Sequence, residues 1–414
     1  MPRSSSQPSW SILPSHRAWL DDEGGRLLRF AAAAQHPVTG FAWLDVDGKP
    51  DLDRPIQTWI TARMTHVFAL ANLRGRPGAA PLADHGLRSL SGPLRDVEHG
   101  GWYSALAPDG RPDATRKAAY EHAFVVLATA SATVAGRPGA AELLDEALSV
   151  VDQRFWSEAE GRCMESWDRG WTATEPYRGA NSNMHFVEAF LAAADVTGDD
   201  RWRRRALSIG ERLIHGSARE NRWRLPEHFD AEWRPMLDYN AEARDDPFRP
   251  YGTTVGHWLE WCRLLLHLEA SLAAPPAWLI DDARMLFGEA VRAGWAVDGA
   301  EGFVYTLDWD DRPQVRSRLH WVVAEAIAAA ALMHRRTGEQ VYEDWYRRWW
   351  DHAASRLIDL ERGSWHHELA PDNTPAAAVW PGKPDVYHAY QATLLPQLPL
   401  APGLAVALRD RLGV

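Results

Sequence analysis

Long, nearly charge-free apolar runs alternate along this chain with runs in which charge recurs at helical spacing. Residues 118–135 (AAYEHAFVVLATASATVA), 184–196 (MHFVEAFLAAADV) and 321–333 (WVVAEAIAAAALM) are of the first kind. Their length and alanine content predict helices, and an apolar circumference predicts burial on more than one face. Segments 138–155, 201–215, 281–293 and 343–360 are of the second kind. In 138–155, Glu142, Asp145, Glu146 and Asp152 fall between apolar positions, as on a helix with one solvent face. The alternation predicts an inner ring of helices wrapped by an outer one. Gly136-Arg137-Pro138, Gly198-Asp199-Asp200 and Gly338-Glu339 supply the stops and starts between them. Short Gly- and Trp-rich pieces then lead from each outer helix to the next inner one: 99–104 (HGGWYS), 161–167 (GRCMESW), 302–306 (GFVYT) and 363–368 (GSWHHE). They predict small β-hairpins capping one end.

Six loop-to-helix junctions carry polar side chains suited to handling a sugar. They are 58–63 (TWITAR), 117–122 (KAAYEH), 181–185 (NSNMH), 251–257 (YGTTVGH), 318–321 (RLHW) and 383–388 (KPDVYH). With Arg63, His122, His185, His257, His320 and His388 as markers, the steps are 59, 63, 72, 63 and 68 residues. A near-constant period marks a repeated supersecondary unit, and about 60–70 residues holds two helices and two loops. Six such hairpins fill most of the 414 residues. Their markers are expected to converge on one end of a closed ring.

Composition narrows the class. Apolar residues make up 46% of the chain, enough for a large core, and no linker or low-complexity block divides it. One domain over residues 1–414 is expected, with the Ser/Pro-rich residues 1–15 as a poorly ordered N-terminal arm. The net charge of −11 is spread rather than blocked, which argues against a nucleic-acid partner. There is no signal-peptide core and no run long enough for a membrane span, so a cytoplasmic monomer or homodimer is expected. Cys163 and Cys262 are too few for a disulfide framework or a cysteine metal site. The 22 tryptophans are mostly expected in the core, with a minority forming platforms for sugar rings.

The junctions also suggest chemistry. His185 precedes Glu188, His257 precedes Glu260 and His388 precedes Gln391, each by three residues. That spacing places a pair on one helix face or forms a capping box, and both readings stand. Capping does not explain repeated histidine, which is a poor N-cap. Histidine both takes and gives a proton near neutrality, so two over one pocket suit proton movement between adjacent carbons. Arg63 is placed to stabilise a developing oxyanion. Glu260, one turn from His257, is positioned to orient or activate it. His122 reads as structural and His334 as surface-facing. His185/Glu188 and His366-His367-Glu368 offer metal-ligand types but no recognised zinc spacing, so neither metal nor cofactor is expected. A hydrolase would need two carboxylates, with Glu98, Glu121, Glu260 and Asp385 as candidates, but histidine dominates the junctions.

Residues 247–261 (PFRPYGTTVGHWLEW) and 383–392 (KPDVYHAYQA), supported by 181–185 and 59–65 (WITARMT), resemble the N-acylglucosamine 2-epimerase superfamily over nearly the whole chain. The likeness is greatest to its mannose and sulfoquinovose isomerase branch. The resemblance implies an all-α (α/α)6 barrel and cofactor-free aldose–ketose isomerisation through a cis-enediol. It implies His257 and His388 as the acid/base pair. Arg63, Asn181, His185 and Glu260 would hold the sugar, with Trp59, Tyr120 and Trp321 shaping the pocket. A sulfonated sugar would need extra cationic groups, and Arg249 alone offers one. The expected substrate is therefore a neutral monosaccharide, D-mannose giving D-fructose, with the related D-lyxose also considered. A 2-epimerase of N-acylglucosamine or cellobiose type, a sulfoquinovose isomerase and a non-enzymatic sugar-binding protein are the alternatives.

Overall fold

A computed structural model describes residues 8–412. Thirteen α-helices are found among them. In chain order they are α1 (Pro14–Ala31), α2 (Thr58–Leu73), α3 (Ala79–Ser91), α4 (Ala119–Val134), α5 (Ala140–Val150), α6 (Ala180–Thr197) and α7 (Arg201–Gly210). There follow α8 (Val255–Ser271), α9 (Trp278–Gly294), α10 (His320–Thr337), α11 (Gln340–His352), α12 (Tyr387–Leu394) and α13 (Leu404–Leu412). Helices α2, α4, α6, α8, α10 and α12 pack side by side in that order, and α12 returns to α2, closing an inner ring. The outer partners α3, α5, α7, α9 and α11 each pack on the inner helix before them.

The difference between the two rings lies in their sequences. In α10 every residue from Val322 to Met333 is buried, and in α2 every residue from Thr58 to Ala71. Helix α11 instead buries Tyr342, Glu343, Tyr346, Trp349 and Trp350, a three-and-four spacing that faces one side. Left-handed glycines end α6 and α10, at Gly198 (φ 70°) and Gly338 (φ 74°), where a Cβ would be strained.

Five of the six helix pairs are sequential hairpins. The sixth is not: the outer partner of α12 is α1, from the opposite end of the chain. Arg26 of α1 donates to the carbonyls of Asp359 and Ser364, and Trp365 Nε1 donates to Glu23. Of the expected N-terminal arm, residues 1–7 lie outside the described residues. The rest is built into the molecule, since Ser9 Oγ and the Trp10 N–H both donate to the Glu343 carboxylate and Pro14 opens α1.

The strands form at one end, as expected, but their main pairing spans each helix hairpin. Ile56–Gln57 pairs with Ala105–Leu106, Lys117–Ala118 with Ser166–Trp167 and Tyr177–Gly179 with His228–Asp230. Thr253–Thr254 pairs with Thr306–Leu307, and Arg318–Leu319 with Glu368–Leu369. This pairing also caps the inner helices. The first N–H of each, from Thr58, Ala119, Ala180, Val255 and His320, donates to the carbonyl of Ser104, Glu165, Glu227, Tyr305 and His367 respectively. No N-cap side chain bonds to any of these helices, so the capping-box reading of Glu188 and Gln391 does not hold. No helix among the described residues is long and apolar enough to cross a membrane.

Candidate active site

Counted from these caps, the six markers are not at equivalent heights. Arg63 and His185 lie five residues into their helices, His122 three, His257 two, and His320 begins α10. At about 1.5 Å per residue, Arg63 and His185 sit roughly 7 Å deeper than His320. The markers therefore form walls and floor rather than a single rim. His122 is turned out of the ring, its Nδ1 donating to the Ala118 carbonyl (2.7 Å) and its Nε2 accepting the Trp102 N–H (3.2 Å). It is structural, as expected. His334 is partly buried, with Nδ1 3.6 Å from Glu343, rather than surface-facing.

One cavity of about 650 Å³ opens at the N-terminal end of the inner ring. All nine residues singled out in the sequence line it: Trp59, Arg63, Tyr120, Asn181, His185, His257, Glu260, Trp321 and His388. His320, His367 and Asp385, considered in the sequence as a marker, a metal-ligand type and a hydrolytic carboxylate, line it as well, and the structure adds Phe248, Tyr305 and Trp380. Trp59, Tyr120 and Trp380 pack edge-on around Phe248, with ring centroids 5.3–6.0 Å away, making an aromatic mouth. The Trp321 indole lies 5.3 Å from the His257 ring and 5.7 Å from that of His388, centroid to centroid.

Each of these two imidazoles rests on a carboxylate. His257 Nδ1 lies 3.0 Å from both oxygens of Glu227, and His388 Nδ1 lies 2.9 Å from Glu325 Oε1. A carboxylate on Nδ1 fixes the tautomer and orientation and leaves Nε2 free for proton transfer. Glu260 is not the partner of His257. It lies 3.4 Å from the Arg263 guanidinium and 3.8 Å from His185 Nδ1, too far for a hydrogen bond to the latter. The assignment of Glu260 to His257 is thus corrected to Glu227. Neither carboxylate was singled out in the sequence: Glu325 stands as the lone charge within an alanine-rich run but without a sign of its partner, and Glu227 lies in a loop with no such signal.

Arg263 sits beneath the pocket, 1% exposed, with Nε 2.7 Å from Glu325, Nη1 3.3 Å from Glu188 and Nη2 3.4 Å from Glu260. Tyr387 Oη also donates to Glu188. Burial and the neighbouring Glu325 push the Glu260 carboxyl well above the usual range despite Arg263. Burial, then the charge of Arg63, holds the imidazoles of His185 and His388 well below 6.5 and keeps them neutral. Arg63 is itself fixed by Asp385 (3.2 Å) and donates to Tyr120 Oη (2.8 Å). His320 stacks on His367 with centroids 3.8 Å apart, and its Nε2 is buried without a protein partner.

Two donor groups here have metal-ligand types within 4.8 Å of one another: His185, Glu188 and Glu260, and Glu260, Glu325 and His388. The Arg263 guanidinium already occupies the cationic position among these carboxylates. The other donors considered diverge: His366 lies 3.7 Å from Asp359, His367 faces the pocket and Glu368 accepts the N–H groups of Val379 and Trp380. The residues fit an arginine-centred ion network better than a metal site.

Comparison with known proteins agrees with this geometry. The chain is 63% identical to a D-mannose isomerase of Thermobifida fusca over 96% of its own length and 98% of the relative. It is 56% identical to a D-mannose isomerase of Pseudomonas cannabina pv. alisalensis, covering 97% of both chains. A crystal structure of a D-mannose isomerase superposes with a TM-score of 0.86 at 26% identity, covering 94% of this chain and 99% of the other. The profile of the N-acylglucosamine 2-epimerase (GlcNAc 2-epimerase) family matches residues 40–392, and the chain belongs to that family.

Proposed function

We propose that this protein is a D-mannose isomerase that interconverts D-mannose and D-fructose through a cis-enediol. The observation that carries the proposal is the pair of carboxylate-held imidazoles, His257 and His388, flanking Trp321 over one aromatic-mouthed cavity. The two relatives above 50% identity, both D-mannose isomerases, support the choice of substrate.

Open-chain mannose has an aldehyde at C1 and an acidic proton at C2. Neutral His388 removes that proton through Nε2, and the C–H electron pair forms the C1=C2 bond as O1 takes up a proton. Glu325 on Nδ1 stabilises the imidazolium that results. The same imidazole returns its proton to C1 while O2 loses its own and becomes the ketone, so atoms and charge balance. In a cis-enediol O1 and O2 lie on one side, where His257, backed by Glu227, carries the proton between them. Arg63, and the N-terminal ends of the inner helices, favour the negative charge that develops on oxygen. Asn181, whose Oδ1 is buried without a partner, and Glu260 bind sugar hydroxyls.

Arg249 weighs against a sulfonated substrate, because Glu175 already holds it at 2.6 and 3.0 Å. Of the four carboxylates considered for hydrolysis, only Glu260 and Asp385 line the pocket, and Asp385 is paired with Arg63. The test is incubation in D₂O with mannose, glucose, N-acetylglucosamine, cellobiose and sulfoquinovose, read by NMR. Fructose from mannose is the expected result, with deuterium entering C1 to the extent that the His388 imidazolium exchanges with solvent before it delivers its proton. A 2-epimer as main product would refute the isomerase assignment. Sugar binding without exchange for any aldose would leave a binding protein.

A further inference from the structure

A second cavity, of about 670 Å³, lies at the other end of the inner ring, on the far side of Arg263 from the sugar pocket. Its walls come from α2, α4, α6 and α8 and from the C-terminal segment. That segment is pinned at two points. The Gly403 N–H donates to Asp195 Oδ2 (2.6 Å), and His267 Nδ1 donates to the Leu400 carbonyl (2.7 Å).

The chemistry of the lining differs from that of the sugar pocket. No Trp, Tyr or Phe lines it, so no platform exists for a sugar ring; the apolar walls are Leu, Val and Ala, among them Leu127, Leu191 and Leu264. Its charges are already engaged: Glu188 by Arg263 and Tyr387, and Asp195 by Arg203 (2.8 Å). A charged ligand would therefore find no free counter-ion. Among the buried side-chain polar atoms of its lining, one has no partner. His66 lines the cavity at 2% exposure, its Nδ1 bonded to Ser131 Oγ (2.7 Å) and its Nε2 without a partner. Burial holds this imidazole at a pKa of about 4, so it stays neutral and offers a single hydrogen bond.

We propose that this cavity binds a small uncharged amphiphile, a compact hydrocarbon ring or chain bearing one hydroxyl that pairs with His66 Nε2. Aliphatic cavities of this kind take up small apolar molecules because water gains too few partners there. The site also touches the catalytic machinery. Glu188 lines the cavity and binds Arg263, Arg263 binds Glu325, and Glu325 holds His388. A ligand that displaces Glu188 is therefore read at His388.

Ligand-observed NMR with cyclohexanol tests the site on the native protein. Saturable binding with a Kd of about 1 mM or tighter is expected. It should persist in saturating mannose and fructose. The variants Ala192→Phe and Val196→Phe, which fill the cavity from α6, should each weaken it by about tenfold or more. myo-Inositol, the same ring with a hydroxyl on every carbon, should not bind there. Absence of saturable binding, displacement by the sugars, undiminished binding to both filled variants, or preference for inositol would each overturn the proposal. At saturation, cyclohexanol should change kcat for mannose severalfold in the native protein and leave the filled variants unmoved. An unchanged native kcat alongside measured binding would overturn the link to His388. Because binding is read without turnover, these outcomes do not depend on the assignment of the sugar reaction.

Discussion

An imidazole held on Nδ1 by a carboxylate has one orientation and one free nitrogen, and His257 and His388 are both held this way. His257→Ala and His388→Ala should each lower kcat on mannose by about 10²- to 10⁴-fold. The double variant should be little worse than the poorer single one, the outcome expected of two groups that act as a unit. Glu325→Gln keeps the shape but loses the charge that fixes the tautomer, and a drop of about 10²-fold or more is expected. His122→Ala, by contrast, should lower the melting temperature and largely spare kcat in the folded fraction. Steady-state kinetics with thermal melts on the same samples separates the cases. The ion network makes a further demand at this scale. With Arg263 already standing among Glu188, Glu260 and Glu325, turnover should survive exhaustive EDTA treatment; loss restored by a divalent ion would place a metal there instead. The histidines were legible in the sequence because their junctions recur along it. The carboxylates behind them were not, since Glu227 is 30 residues from His257 and Glu325 is 63 from His388. Only the i+3 neighbour can be read locally, and here that neighbour serves Arg263.

Helix against helix, the tightest fit near the chemistry is between α8 and α10. A Cβ on Gly256 would lie 2.4 Å from the Trp321 ring and 2.8 Å from Val322 Cγ2. Gly256→Ala must push the indole that separates His257 from His388. Overpacking of this kind costs about 1–3 kcal/mol in stability. The sharper expectation is kinetic: kcat on mannose should fall while far-UV circular dichroism stays native, and an unchanged kcat would show that the position of Trp321 is immaterial. The alternation of fully buried and one-sided helices was plain from the sequence, because burial on all sides leaves room for few charges. The relative depth of the markers was not. It is set by the carbonyl caps from Ser104, Glu165, Glu227, Tyr305 and His367, which are backbone groups with no residue signature.

Across the whole molecule, burial has left many imidazoles neutral. It holds His66, His267, His320 and His352 at about 4, against 6.5 in an unfolded chain. Above pH 6.5 neither state binds these protons. As pH falls from 6.5 towards 4, the unfolded chain takes them up and the folded one does not, so stability is lost over that window. The buried carboxyls of Glu121, Glu165 and Glu260, raised by burial, act in the opposite sense but are fewer. Melting temperature should therefore fall by several degrees between pH 7 and pH 5, and scanning calorimetry finding it flat or rising would contradict this balance. The ring itself was foreseeable from the period, but its closure by α1 was not, because the pairing joins the two ends of the chain. That closure has a consequence during synthesis. Leu20, Leu27 and Leu28 of α1 leave the ribosome well before α12, which follows some 356 residues later. At 5–20 residues per second the nascent helix waits about 20–70 s for its partner. Through that interval its apolar stripe is open to chaperones, and a message truncated before Tyr387 yields a chain that can never shut.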